Sequence, residues 1–148
     1  MDEEYIDFQI GTDVEGLAIV RAEVLIDMYE KSGFETMSFI LGRGSASELT
    51  TITDQVMLEE IEKQGYADKI VFLDEVFDDG SAVTAAERYA DYYKIYPELN
   101  TILCENSSAA TMGAANFVQE NNLEDDIISI GVDASADILN YVKDGALD

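Results

Sequence analysis

Two polar turns that close apolar runs hold the residues best placed to bind something. Thr101, Ile102, Leu103 and Cys104 lead into Glu105, Asn106, Ser107 and Ser108, and the run from Ile127 to Val132 leads into Asp133. A carboxylate such as Asp133 offers several hydrogen-bond acceptors and no donor, whereas a carboxamide such as Asn106 both donates and accepts. Together they suit a ligand rich in hydroxyls. A helical pattern through Val118 lies between the two turns, so the order is strand, turn, helix, strand, turn. Parallel strands in such a unit point their carboxyl ends at one edge, and open α/β sheets bind ligands along that edge. Asn106 and Asp133 are therefore expected near each other on a binding face. Each has a structural alternative: Asp133 as the cap of a helix beginning near Ala136, and Asn106 as a turn or cap residue. Glu105 reads as a solvated charge.

Other strand ends carry further candidates. The turn Gly42, Arg43, Gly44, Ser45, Ala46, Ser47 follows a strand and opens a helix, a geometry that presents backbone N–H groups to an anion. It lacks the third glycine of the dinucleotide fingerprint and an acidic partner at the next strand end, so the residues call for no nucleotide cofactor, nor for any other. Arg43 reads either as a contact for an anionic or polar ligand or as a surface counter-charge. Ser45 is a candidate contact in the same turn. Glu75, Asp78 and Asp79 invite a hard cation, but without the spacing of an EF-hand loop, and a solvated acidic loop explains them as well. Phe77 offers an aromatic face for stacking or an anchor for its loop. Asp13, at the end of the first apolar run, reads as a helix cap. Cys104, among apolar neighbours, reads as a small core residue.

Composition removes several classes of chemistry. With no histidine and one cysteine, the chain has no disulfide framework, no Cys/His zinc site and no histidine-dependent triad. Its 32 acidic residues against 8 basic give a formal charge of -24, which repels nucleic acid and anionic lipid at distances inside the Debye length. The acidic start, Met1, Asp2, Glu3, Glu4, does not read as a signal peptide, and no apolar run reaches the ~18 residues of a membrane span. The chain is expected either in the cytosol or with its leader removed.

The elements that must position the candidates follow from periodicity. Tyr5–Ile10, Met37–Leu41, Lys69–Leu73, Thr101–Cys104 and Ile127–Val132 read as five strands. The spacing Leu17, Val20, Val24, Met28 marks a helix stopping near Gly33. Ser45 and Glu48 stand in capping-box register for a second helix, carrying Leu49, Ile52 and Val56. Val83, Ala86, Ala90 and Tyr93 line a third, which Pro97 prevents from continuing. The last runs from Ser135 to Lys143, with Ile138, Leu139 and Val142 inward and Gly145 terminating it. Strands alternating with helices imply a mostly parallel five-stranded sheet in a three-layer α/β/α sandwich of Rossmann or flavodoxin-like topology. At 148 residues and 47% hydrophobic, one domain spanning residues 1–148 is expected.

Read in order, the segments Leu99 to Asn106, Met112-Gly113-Ala114-Ala115, Ile130-Gly131-Val132-Asp133 and Val142 to Asp148 resemble the second lobe of type 1 periplasmic binding proteins, the ribose/galactose-binding family. The effector domains of LacI-type repressors share that fold. Ile10-Gly11-Thr12-Asp13 with Gly16 resembles the segment leaving the interlobe hinge, which makes Asp13 the family's hinge aspartate as an alternative to a cap. Three features depart from the family pattern. Thr50, Thr51, Ile52 and Thr53 stand where sugar binders carry an arginine, Ser107 replaces an aspartate, and Val132 replaces a phenylalanine.

The resemblance implies noncatalytic binding of a small polar solute, a sugar or something like it, by one lobe of a clamshell, for ABC-type uptake or sensing. The ligand-binding candidates are Asp133, Asn106, Asp13, Ser45, Phe77 and Arg43, with no metal ligands. It implies as partners the companion first lobe and a membrane permease or sensor, and an extracytoplasmic location. A homodimer is also expected, because the helix after Asp13 is apolar nearly all round. The alternatives are the effector lobe of a LacI-type regulator and, further off, a flavodoxin-like or receiver-like enzyme or phosphotransfer domain.

Overall fold

The computed structural model describes residue 11 and residues 13–148, with the side chains of residues 48 and 49 left aside. Among the described residues nine elements alternate: α1 (Val14–Ser32), β1 (Met37–Arg43), α2 (Glu48–Lys63), β2 (Ile70–Phe77), α3 (Ala82–Ile95), β3 (Thr101–Cys104), α4 (Ser108–Asn121), β4 (Ile128–Ile130) and α5 (Ala136–Lys143). Among the described residues the sheet has four strands in the order β2-β1-β3-β4, all parallel. The expected first strand, Tyr5–Ile10, lies outside the described residues. No described helix is long and apolar enough to cross a membrane.

Local chemistry explains where the helices begin. Each of the five opens on a side chain that accepts a hydrogen bond from the backbone N–H three residues on: Asp13 from Gly16, Ser47 from Thr50, Ser81 from Thr84, Ser107 from Ala110 and Ser135 from Ile138. Such caps contribute about 1 kcal/mol each. The expected capping box at Ser45 and Glu48 sits instead two residues on, where Thr50 Oγ1 accepts from the Ser47 N–H at 2.8 Å while Ser47 accepts from the Thr50 N–H. The serine with a hydroxyl three residues later won because threonine can close the reciprocal bond.

Alternation along the strands divides the core between two faces. Phe39 and Leu41 of β1 pack with Ala18, Ala22 and Leu25 of α1 and with Met57 and Ile61 of α2. Ile40 faces the other way, toward Ala85 and Tyr89 of α3 and Ala114, Phe117 and Val118 of α4. This is the three-layer sandwich that the repeating pattern implied. Helices α3 and α4 approach closely because Gly113 has no side chain: a Cβ there would stand 2.3 Å from Ala85 Cβ and 2.8 Å from the Ala82 carbonyl oxygen.

Several helix faces differ from expectation. Leu17 and Val20 of α1 are exposed, because its core side is Ala18, Ala22, Leu25 and Ile26, and Ile52 of α2 is exposed as well. Val83 is 67% exposed, because the inward face of α3 is set by the small Ala85 and by Tyr89. Leu139 and Val142 are also exposed. The short α5 seats only Ile138, in a small cluster with Ala115, Ala146 and Leu147.

Candidate functional site

The carboxyl ends of the strands meet the amino termini of α1, α2 and α4 along one edge, and a groove of about 250 Å³ opens there. Val14, Leu17 and Arg21 of α1 form one wall. Ser47, Thr50 and Thr53, at the start of α2, form the other, and Asn106, after β3, closes the end. The lining is thus one guanidinium, three hydroxyls and one carboxamide against an aliphatic wall. Small polar-solute sites take this form, with apolar surface for burial and a few placed polar groups for orientation.

Asn106 is fixed in place by its neighbours. Its Oδ1 accepts from the Gly44 N–H at 3.0 Å and its Nδ2 donates to the Ser45 carbonyl oxygen at 3.3 Å, so it ties the β3–α4 turn to the β1–α2 turn. The α4 cap is Ser107, and the capping alternative for Asn106 does not hold. Ser107 also donates through Oγ to Asp78, and Ser108 donates through Oγ to Asp133. Asp133 has φ of +69°, in the left-handed region where aspartate and asparagine are the usual non-glycine occupants. It does not cap α5, because Ser135 does. The Ser108 bond places Asp133 at the same turn that carries Asn106, although Asp133 is not part of the groove lining.

The remaining candidates scatter. Asp13 caps α1 through Oδ1 at 2.9 Å from the Gly16 N–H and is exposed, and it is not part of the groove lining. The exposed Ser45 contributes its carbonyl oxygen to Asn106. Phe77, half-buried at the end of the edge strand β2, lies apart from the groove. Its carbonyl oxygen accepts from Arg88.

Arg43 and Glu105 overturn the expectation of solvated charges, since they are 1% and 2% exposed. Arg43 Nη2 lies 2.9 Å from both Asp54 Oδ2 and Glu105 Oε2, and its Nη1 is 3.3 Å from Glu75 Oε2. Arg21 Nη1 donates to Glu105 Oε1 at 2.6 Å. Five elements thus send charged groups into one cluster beneath the groove. The burial is compensated by pairing, yet Arg43 Nε, Asp54 Oδ1 and Glu105 Oε2 lack an aligned hydrogen-bond partner. Burial, followed in size by the opposing pull of Arg21 and the push of the Asp54 carboxylate, sets the Glu105 carboxyl at about 7. The Asp54 side chain, adjacent to Glu105, adds to the upward shift.

The solvated reading of the acidic residues fails at Asp78, which is 1% exposed and accepts from the Gly80 N–H at 2.7 Å. Asp79 is exposed and pairs with Arg88, and Glu75, on β2 and not in a loop, keeps an open side chain while pairing with Arg43. Among the described residues no three His, Cys, Asp or Glu side chains are grouped so that they could hold a metal ion. Cys104 is fully buried, and desolvation pushes its thiol up to about 12.

Sequence reasoning passed over Arg21 and Asp54. The signal for Arg21 was present, since it is the one basic residue in the apolar stretch from Leu17 to Tyr29. Nothing local marked Asp54, which α2 turns inward only because Arg43 waits at the end of β1.

Solved structures with this fold are numerous. A carbohydrate transporter solute-binding protein from Agrobacterium radiobacter, in complex with D-arabinose, superposes with a TM-score of 0.78 at 19% identity, over 92% of this chain and 46% of its own. The glucose-galactose binding protein GanP from Geobacillus stearothermophilus gives 0.77 at 18%, over 93% and 46%. A sugar ABC transporter protein from Actinomyces odontolyticus gives 0.77 at 14%, over 92% and 42%. The chain therefore spans somewhat less than half the length of these proteins. No curated protein sequence matches it. The family described as periplasmic binding protein domain matches across residues 1–148, and the chain belongs to that family.

Proposed function

We propose that this chain is one lobe of a two-lobe, extracytoplasmic solute-binding protein. In this reading it holds a small hydroxyl-rich solute, a sugar or a close relative, without chemical change and serves ABC-type uptake or sensing. The observation that carries it is the groove. Ser47, Thr50, Thr53, Asn106 and Arg21 converge on an apolar wall at the sheet edge, with Asp133 held at the adjoining turn. Donors and acceptors both face a space sized for a few sugar carbons, and none of the lining groups is a nucleophile paired with a base. The family supports the same reading, and the sugar ligands of several fold relatives give it a chemical class.

A clamshell encloses its ligand with groups from both lobes, so this chain alone lacks part of the contacts and most of the exclusion of water. The test is chemical-shift titration of the labelled chain with D-arabinose, D-galactose and D-ribose. Weak, saturable shifts clustered at Thr50, Asn106 and Asp133, reduced by Thr50→Val and Asn106→Ala, are expected. Saturable shifts confined to the α3–α4 face, or none with any of the three sugars, would overturn the assignment.

A further inference from the structure

We propose that a second groove, between α3 and α4, is a docking surface for a basic segment of another protein, whose arginine or lysine side chains lie along its apolar floor and end on Glu87 and Glu120. This surface shares no residue with the strand-end groove, and the proposal is independent of the solute reading.

The second groove has a volume of about 350 Å³. Its floor is Ala86 and Ala90 of α3 with Phe117 of α4, and the exposed Val83 extends the apolar surface toward the start of α3. The floor is held from behind: Phe117 is buried, with the rings of Tyr89 and Tyr93 at 6.5 and 5.7 Å. Gly113, one turn before Phe117, draws the two helices together, and the short alanines leave the depression open between them. The shape is therefore present before anything binds, which lowers the cost of association.

The rim is rich in acceptors. Glu87 on one wall and Glu120 on the other are exposed, and among the described residues neither pairs with a cation. Arg88, beside Glu87 in sequence, is turned to the Phe77 carbonyl oxygen and to Asp79. Other exposed helix faces carry their own counter-charges, as Lys31 does for Asp27 and Lys63 for Glu60. Asn121 donates through Nδ2 to the Phe117 carbonyl oxygen at 2.8 Å, which leaves its Oδ1 to accept. Asn116 accepts from the Tyr141 hydroxyl at 2.7 Å, which orients its amide N–H groups to meet a backbone carbonyl.

A long basic side chain fits both parts of this surface. Its methylenes cover apolar ground while its charged head stays at the wet rim, and the unpaired carboxylates supply the orientation. The carboxamide of Asn116 adds a place for peptide backbone, which a free small cation would not use. A second copy of the chain is a poor occupant. An isologous contact sets a patch against itself, so the carboxylates of both copies would meet, in a chain of formal charge -24.

The experiment measures anisotropy of a labelled alanine–leucine helical peptide carrying arginines one turn apart, with a citrulline-substituted peptide as control. At about 0.15 M salt the Debye length is about 8 Å, so attraction to the net charge is screened and local contacts remain. Saturable binding of the arginine peptide, one per chain, is expected. The pair Glu87→Gln and Glu120→Gln should weaken it roughly fivefold or more, the loss expected for two ion pairs. The pair Glu124→Gln and Asp125→Asn, which removes the same charge from the exposed turn after α4, should leave it nearly unchanged. Val83→Ser, which alters no charge, should also weaken it. Equal losses from the two charge pairs, equal binding of the citrulline peptide, no effect of Val83→Ser, or no saturable binding each overturns the proposal. Chemical shifts at Val83 and Glu120 that move with protein concentration alone would assign the face to a second copy and overturn it as well.

Discussion

The phenolic oxygen of Tyr89 occupies the place where a side chain on Gly42 would begin: a Cβ built on Gly42 lies 1.9 Å from Tyr89 Oη and 3.0 Å from its Cζ. Tyr89 is fully buried on α3, with its hydroxyl within 3.4 Å of the Ala110 carbonyl oxygen and 3.9 Å of Cys104 Sγ. The end of β1, from which the groove and the charge cluster both spring, is thus fitted against one hydroxyl.

Gly42→Ala is therefore expected to destabilise the fold by about 1–3 kcal/mol, the range for overpacking a filled core. Tyr89→Phe removes the clashing oxygen, so the glycine substitution should cost less in that background. Urea denaturation of the two single variants and the double variant forms a double-mutant cycle. Equal cost of Gly42→Ala in both backgrounds would show that the clash is relieved some other way.

Glu105 predicts a pH dependence of stability with a definite sign. Its carboxyl is raised from an ordinary 4.5 to about 7 in the folded state, chiefly by burial, so the folded protein binds a proton more tightly than the unfolded chain does. The stabilisation is complete below about pH 4.5 and is lost as pH rises to about 7. At ~1.4 kcal/mol per unit, the full swing is on the order of 3 kcal/mol. Measured by denaturation from pH 4.5 to 8, wild type should lose stability relative to Glu105→Gln across that window and run parallel to it above. Parallel curves throughout would mean that Glu105 stays ionised beside Arg21.

Cys104 should be inert in the native protein. It has no exposed surface, and the thiolate that reacts is suppressed by a thiol pushed up to about 12. Labelling by a chromogenic disulfide at pH 8 is expected to be slow in buffer and rapid in denaturant. Native labelling that keeps pace with a free thiol would place Cys104 at an accessible surface.

What was legible in the sequence divides along a physical line. Runs such as Met37–Leu41 and Thr101–Cys104 are buried on both faces, and a continuous apolar run with turns at each end says so without reference to the rest of the chain. Asn106 and Asp133 were readable as strand-end residues for the same reason. Arg43 and Glu105 were misjudged because a charge at a strand end looks solvated until its partners arrive, and the partner of Glu105 on α1 is 84 residues away in sequence. Val83 was misjudged because the α3–α4 contact is governed by the absent side chain of Gly113, and periodicity counts only the side chains that exist.

The turns after β1, β2, β3 and β4 are laced side to side: Asn106 to Gly44 and Ser45, Ser107 to Asp78, and Ser108 to Asp133. An edge stitched across every described strand end behaves as a plate, and under the proposed function its loops would have little freedom to surrender to a solute. The entropic cost of capture would then fall on the solute and on whatever joins this plate to its surroundings. Motion linked to such binding would be a swing of the whole edge about a pivot outside it, with the loops along the edge keeping their shape.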